Sequence, residues 1–271
     1  MPEGDTIFRA ARTLAAALEG ATVTGFWARA PQIGTIGAKR LLGETIRLVE
    51  PRGKHLLIWF SPSGLALHTH MRMTGSWHLY RTGQRWQKGR HLARAVIDVE
   101  GWTAVCFSAP VCDLLTSGAV ERHPSLASLG PDALDEQTDL TEARRRLDER
   151  GDVSIAEALL DQRVLAGVGN VYKCEVLFLH SVDPWTPVGQ VAPATRDALL
   201  ATAEQLLKRN VAPGATMRTT TAADSTTGRF YVYGRTRRPC PRCATPISRE
   251  RQGAQGRLTY WCRRCQGPGL R

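Results

Sequence analysis

Two closely spaced pairs of cysteines near the carboxyl end place the strongest constraint on how this chain folds. Four of its seven cysteines form the segments Cys240-Pro-Arg-Cys243 and Cys262-Arg-Arg-Cys265, separated by eighteen residues. Each pair offers two thiolates from one tight turn, and two such turns complete the tetrahedral shell of a zinc site. Because four protein ligands leave no open position, the spacing predicts one structural Zn²⁺ ion rather than a catalytic one.

Disulfide bonds are the alternative use of these cysteines. They are disfavoured, since the cysteine count is odd and the first five residues, Met-Pro-Glu-Gly-Asp, lack the basic and apolar regions of a secretory signal. No run approaches the roughly 18 apolar residues of a membrane-spanning helix. We therefore expect a cytoplasmic protein with no membrane partner. The remaining cysteines, Cys106, Cys112 and Cys174, have no partner spacing and are expected to be small buried hydrophobes.

The positive charge of the chain is concentrated at its carboxyl end. The formal net charge is +11, and residues 228–271 carry eleven arginines and one acid, Glu250, which leaves about +1 for the preceding 227 residues. A basic chain suggests a polyanionic partner. Since all eleven cations are arginine and none is lysine, the tail favours bidentate recognition of phosphate.

The hydrophobic pattern divides the rest of the chain into blocks. An amphipathic helix is predicted over residues 5–19, followed by short β-rich runs up to Phe107 that suggest a β-sandwich or barrel. Residues 108–139 have a loop-like composition, and helical patterns return over 140–210, including an apolar periodic segment at 194–207. An α+β multidomain chain is predicted, with an amino-terminal β domain at 1–126, a helical domain at 127–227 and a zinc finger at 228–271.

Within the helical block, two helices are predicted on either side of a glycine turn. Ser154-Ile-Ala-Glu157 has the form of a capping box and opens a helix expected to end near Ala166. The turn Gly167-Val-Gly-Asn170 leads into a second helix that begins at Asn170. Exposed amide donors at such a turn suit a phosphate, but spacing alone favours Asn170 as a simple helix cap.

Four segments together carry a resemblance to a known family. They are Met1-Pro-Glu-Gly4, Pro51-Arg-Gly-Lys-His-Leu-Leu57, Asp161 to Tyr172 and Val232-Tyr-Gly-Arg235. In this order and spacing the chain resembles the formamidopyrimidine-DNA glycosylase and endonuclease VIII family over nearly its whole length. The resemblance implies an amino-terminal β-sandwich with a leading helix, a helix-two-turns-helix domain and a carboxyl-terminal zinc finger, with damaged double-stranded DNA bound in the cleft between them by a monomer.

The resemblance also implies which residues carry the chemistry. Removal of Met1 would leave Pro2 with a free secondary amine, which attacks C1′ of a damaged nucleotide and forms an iminium that permits β- and δ-elimination. Glu3 resembles the family's general acid/base, and Lys54 resembles the lysine that reaches the sugar or phosphate of the extruded nucleotide. Without the resemblance, Pro2 and Glu3 are an ordinary helix start and Lys54 is a surface lysine at a hairpin turn.

Further residues are expected to hold the DNA. Asn170 and Arg257 resemble the donors that grip the phosphates flanking the lesion. Chemistry on a base inside a duplex requires the nucleotide to flip out, and Met73 matches the apolar wedge that fills the gap, although a methionine at a strand end is more often in the core. By the same resemblance, Arg72 or Thr74 contacts the orphaned base.

The lesion class is read from smaller differences within the family. The Pro-Glu-Gly start is the endonuclease VIII form, and the arginine-phenylalanine wedge of the other branch is not found, which leans toward oxidised pyrimidines. An oxidised-purine glycosylase and a non-catalytic damaged-DNA-binding protein are the alternatives. Asp5 and Thr6 stand where family members commonly have proline and glutamate, so the pocket behind the nucleophile is expected to be altered.

Overall fold

The computed structural model describes residues 2–29, 38–222 and 226–267 of the 271-residue chain. The chain divides into two compact units, one up to Ser128 and the other from Leu129 onward. The second unit holds both the helical block and the finger, and the three-domain division remains a prediction.

The first unit begins with the predicted amphipathic helix. Helix α1 spans Gly4–Leu18, with Glu3 in extended conformation at its amino-terminal cap. Its apolar stripe, which includes Ile7 and Leu14, is almost completely buried in the core of the unit. Gly20 ends the helix with a φ of 78°, a conformation that favours glycine.

Two four-stranded antiparallel sheets form the β-sandwich, in the orders β1-β6-β7-β5 and β2-β3-β4-β8. The strands are β1 (Gly25–Ala28), β2 (Thr45–Arg52), β3 (His55–Ser61), β4 (Leu65–His70), β5 (Ser76–Arg81), β6 (Ala93–Val99), β7 (Trp102–Phe107) and β8 (Val111–Thr116). Side chains alternate across each strand, so Leu56, Ile58 and Phe60 of β3 enter the core shared with α1. The sandwich with a leading helix is therefore confirmed.

The loop-like reading of residues 108–139 was wrong in its first part. Strand β8 pairs with β4, with Leu114 opposite Leu67, and closes the edge of its sheet. Cys112 and Leu114 form its buried face. An alternation of only two apolar residues is too short to distinguish a strand from a loop by sequence. Two short helices follow, α2 (Ser117–Glu121) and α3 (Pro124–Ala127).

The second unit is helical, with a β-hairpin near its end. Its helices are α4 (Leu140–Asp148), α5 (Ile155–Ala158), α6 (Asn170–Leu179), α7 (Pro193–Arg209) and α8 (Arg263–Gln266). Among the described residues, 3-10 turns lie at Val188–Gln190 in this unit and at Ala38–Leu41 and Arg90–Leu92 in the first unit. Strands β9 (Ser248–Gln252) and β10 (Arg257–Trp261) pair antiparallel, with Arg257 opposite Gln252. This helix-two-turns-helix block with its finger confirms the predicted fold class.

The helix expected to run from Ser154 to Ala166 is shorter than its pattern suggested. It ends at Ala158, and the Ser154 hydroxyl donates to the Glu157 carboxylate at 2.6 Å instead of accepting from the helix backbone. The Asp161 carboxylate accepts from the amide of Arg163 at 3.0 Å, a local bond that competes with helix continuation. Gln162 then holds the turn by accepting from the Gly167 amide at 3.1 Å.

Within the residues described, no helix has both the length and the apolar character needed to cross a membrane.

Candidate active site and metal centre

The four cysteines of the two Cys-x-x-Cys turns, which we call knuckles, converge on one point. Their sulfur atoms all lie within 4.8 Å of one another, with 3.9 Å between Cys240 and Cys265 and 3.4 Å between Cys243 and Cys262. Zinc–sulfur bonds of about 2.3 Å in a tetrahedron place sulfurs about 3.8 Å apart, whereas a disulfide needs about 2.05 Å. The donor set therefore fits zinc, and all seven cysteines are free of disulfides.

The finger is attached to both ends of helix α6. At the amino-terminal end, Asn170 Nδ2 donates to the main-chain oxygen of Leu258 at 2.7 Å. At the other end, the Arg242 guanidinium donates to the carbonyls of Phe178 and Leu179, each at 2.9 Å, and so caps the helix. At least one arginine of the basic tail thus serves the fold, which corrects the reading of the whole tail as a phosphate-binding element.

Asn170 is not the helix cap that spacing favoured. Gly169, which has no side chain to bond the helix, occupies the cap position, and the Asn170 amide is turned toward the finger. Its bond to Leu258 places it beside Arg257, the preceding residue on β10. The structure therefore brings together two of the residues predicted to grip phosphate, although they are 87 positions apart in the chain.

A series of buried, hydrogen-bonded polar side chains holds β10 against α6. Lys173, which is completely buried, donates from Nζ to Thr259 Oγ1 at 2.7 Å, and Thr259 donates to Gln252 Oε1 at 2.7 Å. Gln252 continues to Ser154 Oγ at 3.1 Å. Such bonds need both partners, since a buried donor without an acceptor costs about 1–3 kcal/mol. No pattern in the sequence predicts this set, because its members meet only in the folded chain.

The carboxylate of Glu175 anchors the segment that leads into the finger. It accepts from the amides of Tyr231, Val232 and Tyr233 at 2.7–2.8 Å and from the Thr220 hydroxyl. Burial raises the pKa of Glu175, and these four donors oppose that shift. Helix α6 is consequently bonded to the lead segment, to β10 and to the first knuckle.

In the first unit, the predicted nucleophile and acid stand at the start of α1. Pro2 is half-buried, and Glu3 is fully buried while its carbonyl accepts from the amides of Thr6 and Ile7 at 2.9 and 3.1 Å. Asp5 is also fully buried and forms an ion pair with Arg9 at 3.1 Å. Asp5 is therefore a buried, charge-paired residue of the first turn of α1.

Lys54 lies in the two-residue turn between β2 and β3, after Gly53, whose φ is 56°. Directly beside it is a cluster of four histidines, which we call the histidine cluster: His55, His68, His70 and His123. The ring nitrogens His55 Nδ1 and His68 Nε2 lie 2.8 Å apart, and the two rings stack. Sequence reasoning gave these histidines no role, although His68 and His70 fall on one face of a strand.

The buried rings of the cluster are held uncharged. Burial, helped by the neighbouring histidines and by Lys54, lowers the pKa of His55 from 6.5 to about 2. Burial and the charges of His123 and His70 lower the pKa of His68 to about 4. In the hydrogen bond between His55 and His68, one neutral ring therefore donates and the other accepts.

These shifts predict a loss of stability in mild acid. Because the folded pKa values lie below the unfolded value of about 6.5, the unfolded chain binds more protons below that pH, and stability falls as the pH drops from 6.5 toward 4. At pH 5 we expect a cost of about 2 kcal/mol for each of His55 and His68. Urea unfolding at pH 7.5 and 5.0 measures it.

The matched variants for that measurement are His68→Gln and His91→Gln. His68→Gln removes one buried proton site and should shrink the acid loss, whereas His91 is exposed and its replacement should leave the loss unchanged. A free energy of unfolding that is the same at both pH values would contradict the assignment.

The loop that carries Met73 is held at both ends and presents that side chain to solvent. Met71 is buried, the Arg72 amide donates to His70 Nδ1 at 3.1 Å, and the Thr74 hydroxyl donates to the Ser108 carbonyl at 2.9 Å. Arg72 has a φ of 44°, and 60% of Met73 is exposed. Met73 is therefore not a core residue, which removes the alternative that its position at a strand end had left open.

Comparison with known protein families covers most of the chain. Residues 1–110 match the formamidopyrimidine-DNA glycosylase N-terminal domain, and residues 129–222 match the formamidopyrimidine-DNA glycosylase H2TH domain. Residues 238–267 match the zinc finger found in FPG and IleRS. That third match, together with the clustered cysteines, indicates zinc binding.

Individual proteins match over nearly the full length. The chain is 43% identical to a probable endonuclease 8 2 of Streptomyces coelicolor, covering all of this chain and 96% of that protein. It is 37% identical to DNA-(apurinic or apyrimidinic site) lyase Nei2 of Mycolicibacterium smegmatis, over 98% and 99% of the two chains. A solved complex of Lactococcus lactis Fpg with DNA containing an abasic site shares the fold, with a TM-score of 0.81 at 23% identity over 98% of this chain and all of that one.

Proposed function

The chain belongs to the formamidopyrimidine-DNA glycosylase and endonuclease VIII family, and on that premise we propose that it excises oxidised bases from double-stranded DNA as a monomer and then cleaves the strand. Its relatives named endonuclease 8 and abasic-site lyase support a DNA glycosylase with lyase activity. The observation that carries the proposal for this chain is the placement of Pro2 and the buried Glu3 together at the start of α1.

Pro2 is the proposed nucleophile. After removal of Met1, its secondary amine has a reference pKa near 8, so an unprotonated fraction is present at neutral pH. The nitrogen lone pair attacks C1′, the bond between C1′ and the base breaks, and the nitrogen loses its proton. The bond between C1′ and O4′ then breaks as O4′ takes up a proton, which opens the sugar ring and leaves an iminium. That iminium draws electrons from the sugar during β- and then δ-elimination. The nitrogen of Pro2 thus holds the sugar covalently until the strand is cut.

Glu3 and Lys54 are proposed to assist this reaction. Glu3 protonates the departing base or the sugar oxygen and relays protons during elimination. Its fixed place at the helix cap, fully buried, supports a constant position beside the Pro2 nitrogen. Lys54, on its tight turn, supplies a positive charge to the sugar or phosphate of the extruded nucleotide.

The DNA backbone is proposed to be gripped by Asn170 and Arg257, with Met73 filling the gap left by the flipped nucleotide and Arg72 touching the orphaned base. The bond from Asn170 to Leu258 supports the first pair acting as a unit, and the exposure of Met73 supports the wedge. One structural Zn²⁺ ion, bound by Cys240, Cys243, Cys262 and Cys265, would hold the knuckles that position β10.

Covalent capture tests the proposed reaction directly. Borohydride reduces the iminium to a stable amine, so incubation with an abasic-site duplex and borohydride should yield a protein–DNA adduct. Mass spectrometry of the digested adduct should locate the sugar on the first residue of the chain. A non-catalytic DNA-binding protein would bind the same duplex and form no adduct.

Oxidised pyrimidines are the proposed lesion class. The endonuclease VIII form of the amino terminus and the relatives named endonuclease 8 support this choice over oxidised purines. Duplexes that carry thymine glycol or dihydrouracil should be cut faster than one that carries 8-oxoguanine. The reverse order would reassign the lesion class and leave the lyase step in place.

Arg257→Ala should weaken binding to an abasic-site duplex by about 1–3 kcal/mol, because one charge-assisted contact with a phosphate is lost. The slope of the logarithm of the binding constant against the logarithm of the salt concentration should become shallower by about one. The preference among lesions should not change, since a phosphate contact reads no base. Arg249→Ala, an exposed arginine on the neighbouring strand β9, is the matched control and should cost less. Equal effects of the two variants would remove Arg257 from its proposed role.

A further inference from the structure

The histidine cluster lies on the outer face of the sheet that carries Lys54. His55 and His70 are directly opposite each other on β3 and β4, while Leu56, the residue after His55, points into the sandwich core. His68 is two residues before His70 and shares its face. Although this face is turned away from the core, His55 is only 7% exposed and His68 is completely buried.

The cluster touches the two segments of the first unit that are proposed to meet DNA. His55 directly follows Lys54, whose charge is near enough to lower the pKa values of both His55 and His70. His70 Nδ1 accepts from the Arg72 amide, at the base of the loop that presents Met73. His68, the completely buried histidine of the cluster, packs against His123 with 4.9 Å between ring centroids.

We propose that His55 is a positioning residue for Lys54, fixing the turn that carries it through the hydrogen bond between His55 Nδ1 and His68 Nε2. This inference rests on the proposed function of Lys54. A lysine has four rotatable bonds, and its charge is useful at a phosphate only where the backbone beneath it is held in place. The bond crosses from β3 to β4 next to the turn, so it adds a side-chain link to the backbone pairs that join His55 to Arg52 and to His70.

The chemistry of the cluster suits this task. Neutral imidazoles can both donate and accept, so they bond to one another without adding positive charge beneath Lys54. A carboxylate in their place would pair with the lysine and withdraw it from the DNA, and a second cation would repel it. Two acids share this face in register: Glu50 on β2, opposite Leu57, is already bonded to Arg52, and Asp113 on β8 is opposite His68.

The ring nitrogens of the cluster do not converge in the way that metal ligands do. Among residues 2–29, 38–222 and 226–267, the group of three or more histidine, cysteine or acidic side chains whose ligand atoms converge is that of the four finger cysteines. The histidine rings instead bond and stack with one another, which favours a mechanical role.

A double-mutant cycle tests the proposal, with equilibrium binding to a duplex that carries a stable abasic-site analogue as the readout. His55→Phe keeps a flat ring but loses the bond to His68, and should weaken binding about tenfold. His55→Asn places an amide at the Nδ1 position and should bind within about twofold of wild type. In a Lys54→Ala background, His55→Phe should have no further effect, because its contribution passes through the lysine.

Several outcomes would overturn the role of His55. These are wild-type binding by His55→Phe, a full additional loss in the Lys54→Ala background, or His55→Asn behaving as His55→Phe does. Should His55→Phe fail to fold, the pair His68→Gln and His68→Met asks the same question, because glutamine can replace Nε2 and methionine cannot. Equal binding by that pair would also refute the proposal.

A different set of results would contradict the proposed function of Lys54 itself. If Lys54→Ala binds and is captured by borohydride as wild type is, Lys54 has no role in the site and the proposed function of that residue falls. If Lys54→Ala is impaired and the histidine variants are not, the function of Lys54 stands and the positioning role falls.

Discussion

A single residue added before Pro2 should abolish borohydride capture of abasic-site DNA. Acylation converts the ring nitrogen into a tertiary amide, which has no proton to lose and whose lone pair is delocalised into the carbonyl, so it cannot form an iminium. The residues proposed to bind phosphate are untouched, and binding of the same duplex should remain within a few fold of wild type. Capture on a denaturing gel, beside equilibrium binding, measures the two effects separately.

Two further amino termini sharpen this test. Pro2→Gly keeps a primary amine at the same place and should still be captured, but more slowly, since the pyrrolidine ring forms an iminium more readily. A chain that retains Met1 should behave like the extended protein. Capture by the extended protein, or retention of Met1 in fully active material, would refute the assignment of Pro2 even if every other motif held.

The segments that the sequence predicted best are those whose periodicity is long or whose chemistry is specific. Helix α1 repeats its apolar stripe over four turns, and the four cysteines have a spacing that few other sites use. Strand β8 was missed because its buried face is two residues, and the helix at Ser154 was overextended because a capping box marks where a helix begins and not where it ends.

The sequence predicted the residues of the candidate site better than it predicted the contacts that hold those residues in place. Asn170 and Arg257 come from separate motifs, and only the bond to Leu258 makes them neighbours. The histidine cluster combines residues from β3, β4 and the start of α3, which the register of the sheet brings together. His68 and His70 at alternate positions of a strand were a usable signal, but sequence alone could not show that their face would be buried and their rings neutral.

Removal of zinc, or Cys262→Ser, should unfold the finger while the β-sandwich stays folded. Zinc-finger peptides bind their metal with an apparent free energy of about 10–16 kcal/mol at pH 7, which is also the free energy that folds them. The small hairpin β9–β10 has too few strands to be stable in water without it. Trp261, which is 7% exposed and packs against Trp185 with 4.4 Å between ring centroids, should report the change by a red shift in fluorescence.

Loss of the metal should also disturb the proposed phosphate-binding pair, Asn170 and Arg257, through the contacts that join the finger to α6. Without folded knuckles, Arg242 no longer caps the helix and Leu258 no longer accepts from Asn170, so the contributions of Asn170 and Arg257 should be lost together. We expect binding of abasic-site DNA to weaken by at least about thirtyfold, which corresponds to two lost contacts of at least about 1 kcal/mol each.

Cys106→Ala is the control for the cysteine change. That thiol is fully buried in the sandwich and is not a ligand, so its loss should lower the stability of the first unit and leave both the zinc content and DNA binding unchanged. Elemental analysis of the wild type should find one zinc per chain. A zinc-free protein with unshifted tryptophan fluorescence and full affinity would show that the buried contacts of Lys173, Glu175 and Gln252 hold the finger by themselves, and that the four thiolates are dispensable for its fold.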